Sequence, residues 1–102
     1  MTQEQFETAC GKTLLLVKRI GRERGASEQG MQAERYTQDP TAWRHMNWML
    51  VQAALFHFEG KKEKAHRWLG FVQGVLSMCG VQLDDLKLAN MPEDEAFNPE
   101  KV

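Results

Sequence analysis

Residues 39–80 read DPTAWRHMNWMLVQAALFHFEGKKEKAHRWLGFVQGVLSMCG, and this stretch decides the fold. It consists of two apolar segments of helical length, separated by Glu59-Gly60-Lys61. Asp39 can cap the free amides at the start of the first segment, and the proline that follows it suits the first helical position. The glycine of the separator can adopt the left-handed conformation that ends a helix. The stretch therefore predicts an antiparallel hairpin of helices at about 40–59 and 62–79.

The first helix of this hairpin carries two apolar stripes, which is more apolar surface than two helices can hide by facing each other. At about 100° per residue, one stripe contains Trp43, Met46, Leu50, Ala53 and His57. The second stripe contains Trp48, Val51, Leu55 and Phe58. Either the first and last helices of the chain cover the second stripe, or part of it is a binding surface, since tryptophan and methionine are enriched at interface centres. Self-association would satisfy both interpretations.

Two further segments are predicted to be helical. Thr2 and Gln5 have the spacing of a capping box, in which each residue's side chain binds the other's free amide at a helix start. Apolar residues then recur at intervals of three and four, which predicts a helix over about 3–24. A shorter pattern predicts a last helix over about 83–90. The polar connection 25–39 has a length that is often functional or mobile in compact domains.

The chain has 102 residues, a formal net charge of -1 and 42% hydrophobic residues. These values are ordinary for one globular domain. With the predicted helices, they indicate an all-α fold, a small bundle of about four helices built on the central antiparallel hairpin. We expect one domain over residues 1–92, followed by a flexible acidic tail at 93–102.

Both cysteines, Cys10 and Cys79, lie on apolar faces of predicted helices. We expect them to be buried, reduced thiols that act as small apolar groups, with a disulfide between them as the alternative. The N-terminus does not resemble a signal peptide, and polar residues interrupt the apolar run 43–58, so it does not predict a membrane span. A cytoplasmic location without membrane contact is therefore expected.

The sequence contains no recognisable catalytic signature. No two of His45, His57 and His66 have the spacing of three or four that places two metal ligands on one helical turn. His57 and His66 flank the hairpin turn and could be neighbours in space. Glu59 and Glu63 are the only acidic residues of the hairpin helices, too few for a magnesium site. We expect a non-enzymatic protein with no catalytic residues, no cofactor and no metal.

Gly70 and Gly74 share one face of the second hairpin helix because they are four residues apart. A face without side chains lets another helix approach closely. We expect this approach to occur within the chain, and a bulky side chain of a partner protein is the alternative.

Two basic clusters raise the possibility of nucleic-acid binding. They lie at Lys18–Arg24 and at Lys61–Arg67, and helices with basic residues on one side can contact phosphates. The usual alternative is a solvated face, or a patch that meets an acidic protein. Because the chain as a whole is slightly acidic, nucleic-acid binding is the second hypothesis.

The segment EKAHRWLGFVQGVL at 63–76, a DLK turn at 85–87 and the NMP at 90–92 resemble a group of small bacteriophage and prophage proteins. The resemblance covers about half of the chain and does not extend to the first 40 residues. The group has no established activity, so no functional residue is carried over from it. The resemblance implies a phage setting, in which small proteins bind and redirect host replication, repair, transcription or defence machinery.

The sequence thus predicts a protein-binding module, a phage accessory factor that modulates or inhibits a host protein complex in the bacterial cytoplasm. Self-association into a homodimer is a further possibility. The residues expected to bind the partner are those whose side chains are least suited to the interior. They are Arg19, Arg22, Arg24, Tyr36, Trp48, Lys62 and Arg67.

Overall fold

The structure is a computed structural model that describes residues 1–25 and 40–90, and this part of the chain contains helices and no strand. The helices of this described part are α1 (Gln3–Gly25), α2 (Pro40–Phe58), α3 (Lys62–Met78) and α4 (Leu83–Ala89). The predicted all-α bundle is confirmed, with α1, α2 and α3 packed against one another. The predicted cap at Asp39 and the predicted tail at 93–102 lie outside the described residues.

The capping box predicted at the start of α1 is confirmed. The amide of Thr2 donates a hydrogen bond to Oε1 of Gln5 at 2.9 Å, and the amide of Gln5 donates to Oγ1 of Thr2 at 3.1 Å. These two bonds satisfy amides that have no carbonyl partner in the first turn of a helix. The start of α1 is therefore determined by local side-chain chemistry.

A glycine in the left-handed conformation ends each helix of the hairpin. Gly60 has φ of 87°, its amide donates to the carbonyl of His57, and the amide of Lys61 donates to the carbonyl of Phe56. This pair of bonds is a Schellman motif. Gly80 has φ of 101° and the same two bonds follow α3, from Gly80 to Ser77 and from Val81 to Leu76. The hairpin turn lies where the sequence predicts it.

The core lies where the inward faces of α1, α2 and α3 meet, with α2 packed against both of the other long helices. All five residues of the first predicted stripe of α2 are buried, as expected. The largest side chains that are fully buried come from all three helices: Phe6, Leu16, Val17, Met46, Leu50, Val72 and Leu76. Burying a side chain of this size contributes about 1.5–3 kcal/mol relative to leaving it exposed.

Gly21 of α1 allows Trp43 of α2 to pack closely against the α1 backbone. A Cβ atom added at Gly21 would lie 3.1 Å from Cγ of Trp43, closer than ordinary van der Waals contact. The indole is buried in this position. The C-terminal part of α1 therefore lies beside the N-terminal part of α2.

A polar network ties α1, α3 and the end of α4 together. Gln73 of α3 donates from Nε2 to Oγ1 of Thr13 at 3.2 Å and to Oδ1 of Asn90 at 2.7 Å, and Nδ2 of Asn90 donates back to Oε1 of Gln73 at 3.1 Å. Thr13 itself is fully buried and donates to the carbonyl of Ala9 at 2.8 Å. This network satisfies polar groups that would otherwise lower stability at a partly buried junction.

The expectation that Gly70 and Gly74 allow close packing within the chain is wrong. Both glycines are exposed, and a Cβ atom added to either one would find nothing within 4 Å. The physical reason is that α3 buries its opposite face, through Ala65, Leu69, Val72 and Leu76.

Candidate functional site

The second apolar stripe of α2 is exposed. Trp48, Val51, Leu55 and Phe58 each leave between 48% and 75% of their surface open to solvent. The interpretation in which the first and last helices cover this stripe is therefore wrong. We call these four residues the α2 apolar face.

The packing explains why this face stays open. α1 and α3 both lie against the inward side of α2, where Met46, Leu50 and Ala53 are buried. The last helix, α4, has seven residues and packs against α1 and α3. It is too short and too far around the bundle to cover the outer side of α2.

A groove runs along the α1 side of the α2 apolar face. Its volume is about 260 Å³. Val51 and Leu55 of the apolar face form part of its wall. The remaining wall residues are Glu7, Cys10, Gly11 and Leu14 from α1, and Leu50 and Ala54 from α2. Because Gly11 has no side chain, α1 leaves this space open where a larger residue would fill it.

Aromatic side chains border the α2 apolar face on the α3 side. The ring centroids of Trp48 and Trp68 lie 5.7 Å apart, and Phe56 meets Trp68 edge to face at 4.9 Å. The ammonium group of Lys64 lies 4.3 Å from the centroid of the Phe56 ring and 5.5 Å from that of Trp68. These contacts make the surface continuous from the groove, across α2, to α3.

Positive charge borders this surface at both ends. Lys64 lies near Phe56 and Trp68 at the end that contains the hairpin turn. Two further cations lie at the other end. Arg44 is exposed on α2, one turn before Trp48 and on the same side of the helix. Lys18 is exposed on α1, one turn beyond Leu14 of the groove. Since Gly21 of α1 lies against Trp43 of α2, these two cations belong to the same end of the bundle.

The structure describes five of the seven residues predicted to bind a partner. Trp48, Arg22, Lys62 and Arg67 have exposed side chains. The Arg19 side chain is only 17% exposed, and its Nε donates to Oε1 of Glu23 at 3.1 Å. Tyr36 and the side chain of Arg24 lie outside the described part of the structure.

These predicted residues do not form one patch. Arg19 and Arg22 lie near the C-terminal end of α1, beside the start of α2. Lys62 begins α3 at the opposite end, where Phe6 of α1 contacts His66 of α3. The two basic clusters are therefore separated by most of the length of the bundle, roughly 20 Å at 1.5 Å per helical residue.

Reasoning from the sequence did not select Val51, Leu55 and Phe58 as site residues, although it placed them on the second stripe. Their positions, with Trp48, follow intervals of three, four and three residues. This is the spacing of the a and d positions through which one helix packs against another in a coiled coil. This spacing could have identified the three residues as part of a helix-binding surface. Gly11 and Leu14 enter the site only through the packing of α1 on α2.

Both cysteines, Cys10 and Cys79, are buried in the structure, as expected. Burial, with the nearby Glu7 carboxylate, raises the pKa of the Cys10 thiol to about 12, so this thiol remains protonated at neutral pH. Across residues 1–25 and 40–90, no three histidine, cysteine or acidic side chains are grouped to hold a metal ion.

Each of the three histidines lies beside an aromatic side chain. His57 and His66 are neighbours, with ring centroids 5.8 Å apart, and His57 stacks on Phe6 with ring centroids 4.4 Å apart. His45 and His66 are exposed, and His45 stacks on Trp48 with ring centroids 5.5 Å apart. The imidazole groups thus serve as packing partners of aromatic side chains.

Among the described residues, no helix has both the length and the hydropathy needed to cross a membrane. Comparison of the chain with protein-family models, curated proteins and solved structures found no match.

Proposed function

We propose that this chain is a non-enzymatic protein-binding module whose α2 apolar face and adjoining groove receive an amphipathic helix of another protein. The single observation that carries the proposal is the exposure of Trp48, Val51, Leu55 and Phe58 along one side of one helix. Monomeric soluble proteins rarely expose large contiguous apolar surfaces unless these bind something. The setting that we propose is a phage accessory factor acting on a complex of its bacterial host.

The spacing of the exposed residues favours a helix as the bound element. Intervals of three and four residues keep apolar side chains on the line along which two helices pack, knobs into holes. An extended strand would instead need an open sheet edge, and the described residues contain no strand. A partner helix would insert side chains at its own i, i+3, i+4 and i+7 positions.

The groove favours a side chain of the partner over a small-molecule ligand. Its volume of about 260 Å³ lies below the roughly 300–1,000 Å³ of typical small-molecule sites. Its walls are mostly aliphatic, with Glu7 as the one charged residue. A leucine or phenylalanine of the partner would fill this space and displace water from Val51 and Leu55.

The cations at the two ends of the surface favour acidic side chains on the partner helix. Arg44 and Lys18 are both exposed at one end of the surface. Acidic side chains on the partner helix would be attracted to them, which increases the association rate. The partner is therefore a helix with an apolar stripe and acidic side chains beside it.

The test compares two variants of exposed apolar residues. Leu55→Glu places a charge in the middle of the α2 apolar face, where Leu55 is 48% exposed, and Met78→Glu places one at a more open position on α3, where Met78 is 67% exposed. Proteins captured from bacterial lysate by the wild-type chain are identified, and the binding of the purified partner is measured by calorimetry. We expect Leu55→Glu to weaken binding at least about tenfold and Met78→Glu to change it less than about twofold.

Three outcomes would contradict the proposal. The first is that Leu55→Glu, shown to be folded by circular dichroism, binds the partner as tightly as the wild type does. The second is that the wild-type chain is a dimer that Leu55→Glu dissociates and that no foreign helix displaces, since a second copy then occupies the face. The third is binding to DNA or RNA that weakens steeply with salt, together with no protein partner, which supports the basic clusters instead.

A further inference from the structure

A buried histidine joins the three long helices at the end of the bundle that contains the hairpin turn. His57, in the last turn of α2, is 3% exposed. Its ring stacks on Phe6 of α1 with centroids 4.4 Å apart, and His66 of α3 lies 5.8 Å away. Its Nδ1 lies 2.6 Å from Oε1 of Gln3, in the first turn of α1.

The partners of Gln3 determine which nitrogen of His57 carries the proton. Nε2 of Gln3 donates to the carbonyl of Ala54 at 3.0 Å and to Oε1 of Glu7 at 3.0 Å. The amide group of Gln3 is thereby oriented, so that its oxygen faces His57 and can only accept a hydrogen bond. The neutral imidazole therefore carries its proton on Nδ1, and Nε2 keeps a lone pair.

Nε2 of His57 is buried and has no hydrogen-bond partner. A neutral ring tolerates this, because an unprotonated nitrogen only loses a hydrogen bond that it could accept. A protonated ring would bury a charged N–H group with no acceptor, which costs considerably more free energy. The two protonation states of His57 therefore differ in how well they fit the packed junction.

Most of the charges around the His57 ring disfavour its protonation. On α3, Lys62 and His66 disfavour a positive charge on His57, and so does the terminal amino group ahead of α1. On α1, the Glu7 carboxylate favours it. Burial is the largest influence, and the combined effect lowers the pKa of His57 below its ordinary value of 6.5.

We propose that His57 is a pH-sensitive lock, which holds the first turn of α1 on the hairpin while neutral and releases it when protonated. The lock consists of the Gln3 hydrogen bond, the Phe6 stack and the unpartnered Nε2. Phe58, the next residue of the chain, is the most exposed member of the α2 apolar face, so release loosens one end of that face. The proposal does not depend on what the face binds.

The direction of the pH effect follows from proton binding. Because the folded pKa is lowered, the unfolded chain binds more protons than the folded chain between the two pKa values. The stabilisation by neutral His57 is fully present above pH 6.5 and is lost as the pH falls from 6.5 towards the folded pKa.

The experiment measures denaturant midpoints of the full chain between about pH 8 and about pH 5, the range in which imidazoles titrate. His57→Asn keeps a donor near the position of Nδ1 but cannot titrate. His45→Asn is the matched control, because His45 is exposed and stacks on Trp48. As the pH falls, we expect the denaturant midpoints of the wild type and of His45→Asn to decrease by similar amounts. The midpoint of His57→Asn should decrease clearly less.

Two measurements on the wild type keep the test decisive if His57→Asn does not fold. Nitrogen chemical shifts should show the proton of neutral His57 on Nδ1, with a titration midpoint below 6.5. Amide protection at Phe6 and Ala9 should fall relative to that at Val17 as the pH is lowered. A proton on Nε2, a midpoint at or above 6.5, or identical pH dependence in His57→Asn and wild type would overturn the proposal.

Discussion

Trp48 of α2 lies with its ring centroid 5.7 Å from that of Trp68 of α3, so the exposed indole is held from one side by the other helix of the hairpin. Trp48 is about half exposed, whereas Trp68 packs against the core and meets Phe56 edge to face. A tryptophan supported in this way presents a large apolar surface in a restricted orientation. Such residues are frequent among the few that dominate the free energy of binding at interfaces.

We expect Trp48→Ala to weaken partner binding by more than about 1 kcal/mol while the domain stays folded. The dissociation constant and the helical circular dichroism signal measure the two effects separately. Trp43→Ala is the control, since Trp43 is buried against Gly21 and its loss should lower the free energy of unfolding by about 3–5 kcal/mol. Loss of helical signal in Trp48→Ala would show that Trp48 belongs to the core.

The close contact of Gly21 with Trp43 predicts different effects for the same substitution at two positions in α1. Gly11→Ala adds a methyl group in open space, so helix propensity should raise stability by about 1 kcal/mol. Gly21→Ala places its methyl group 3.1 Å from the indole, so the increase in stability from helix propensity should be lost. Thermal or chemical unfolding of both variants measures the difference. Equal stabilisation by the two substitutions would mean that the helices are further apart than the structure shows.

The amide pair between Gln73 and Asn90 predicts energetic coupling between α3 and the residue that follows α4. Each single substitution to alanine leaves the other amide without its partner at a partly buried position. We expect a coupling free energy of about 1 kcal/mol in a double-mutant cycle measured by denaturant unfolding. Additive effects of the two substitutions would show that the pair is not formed in solution.

The raised pKa of the Cys10 thiol predicts slow alkylation of the folded protein. At about pH 8 the folded thiol is almost entirely protonated, because its pKa is about 12, whereas an unfolded cysteine has a pKa near 8.5. The variant Cys79→Ala leaves Cys10 as the only cysteine. Its rate of reaction with iodoacetamide should rise many-fold in denaturant. Fast labelling under native conditions would show that the thiol is exposed or activated.

The helices and turns were predictable because their signals are local. Thr2 and Gln5 bind each other's amides within one turn, and Gly60 adopts a conformation that few other residues tolerate. The buried stripe of α2 was also predictable, since Met46, Leu50 and Ala53 recur at helical spacing.

The candidate site was predictable only in part. The sequence indicates Trp48 as a residue that binds a partner. It places Val51 and Leu55 on the same apolar stripe but does not indicate that they bind. Arg19, which the sequence also indicates, is only 17% exposed and pairs with Glu23, because residue type alone does not determine the exposure of a side chain. The groove beside Leu14 arises from two helices that are distant in sequence.

The sequence by itself determined where α1 begins and where α2 and α3 end, because the capping box and the left-handed glycines act over a few residues. It also determined that α2 carries apolar side chains on two sides. Only the tertiary structure decided which side is buried, because both stripes are apolar enough for a core and the choice depends on which helices are long enough to cover them. With α1 and α3 on one side and α4 only seven residues long, the other side remains open.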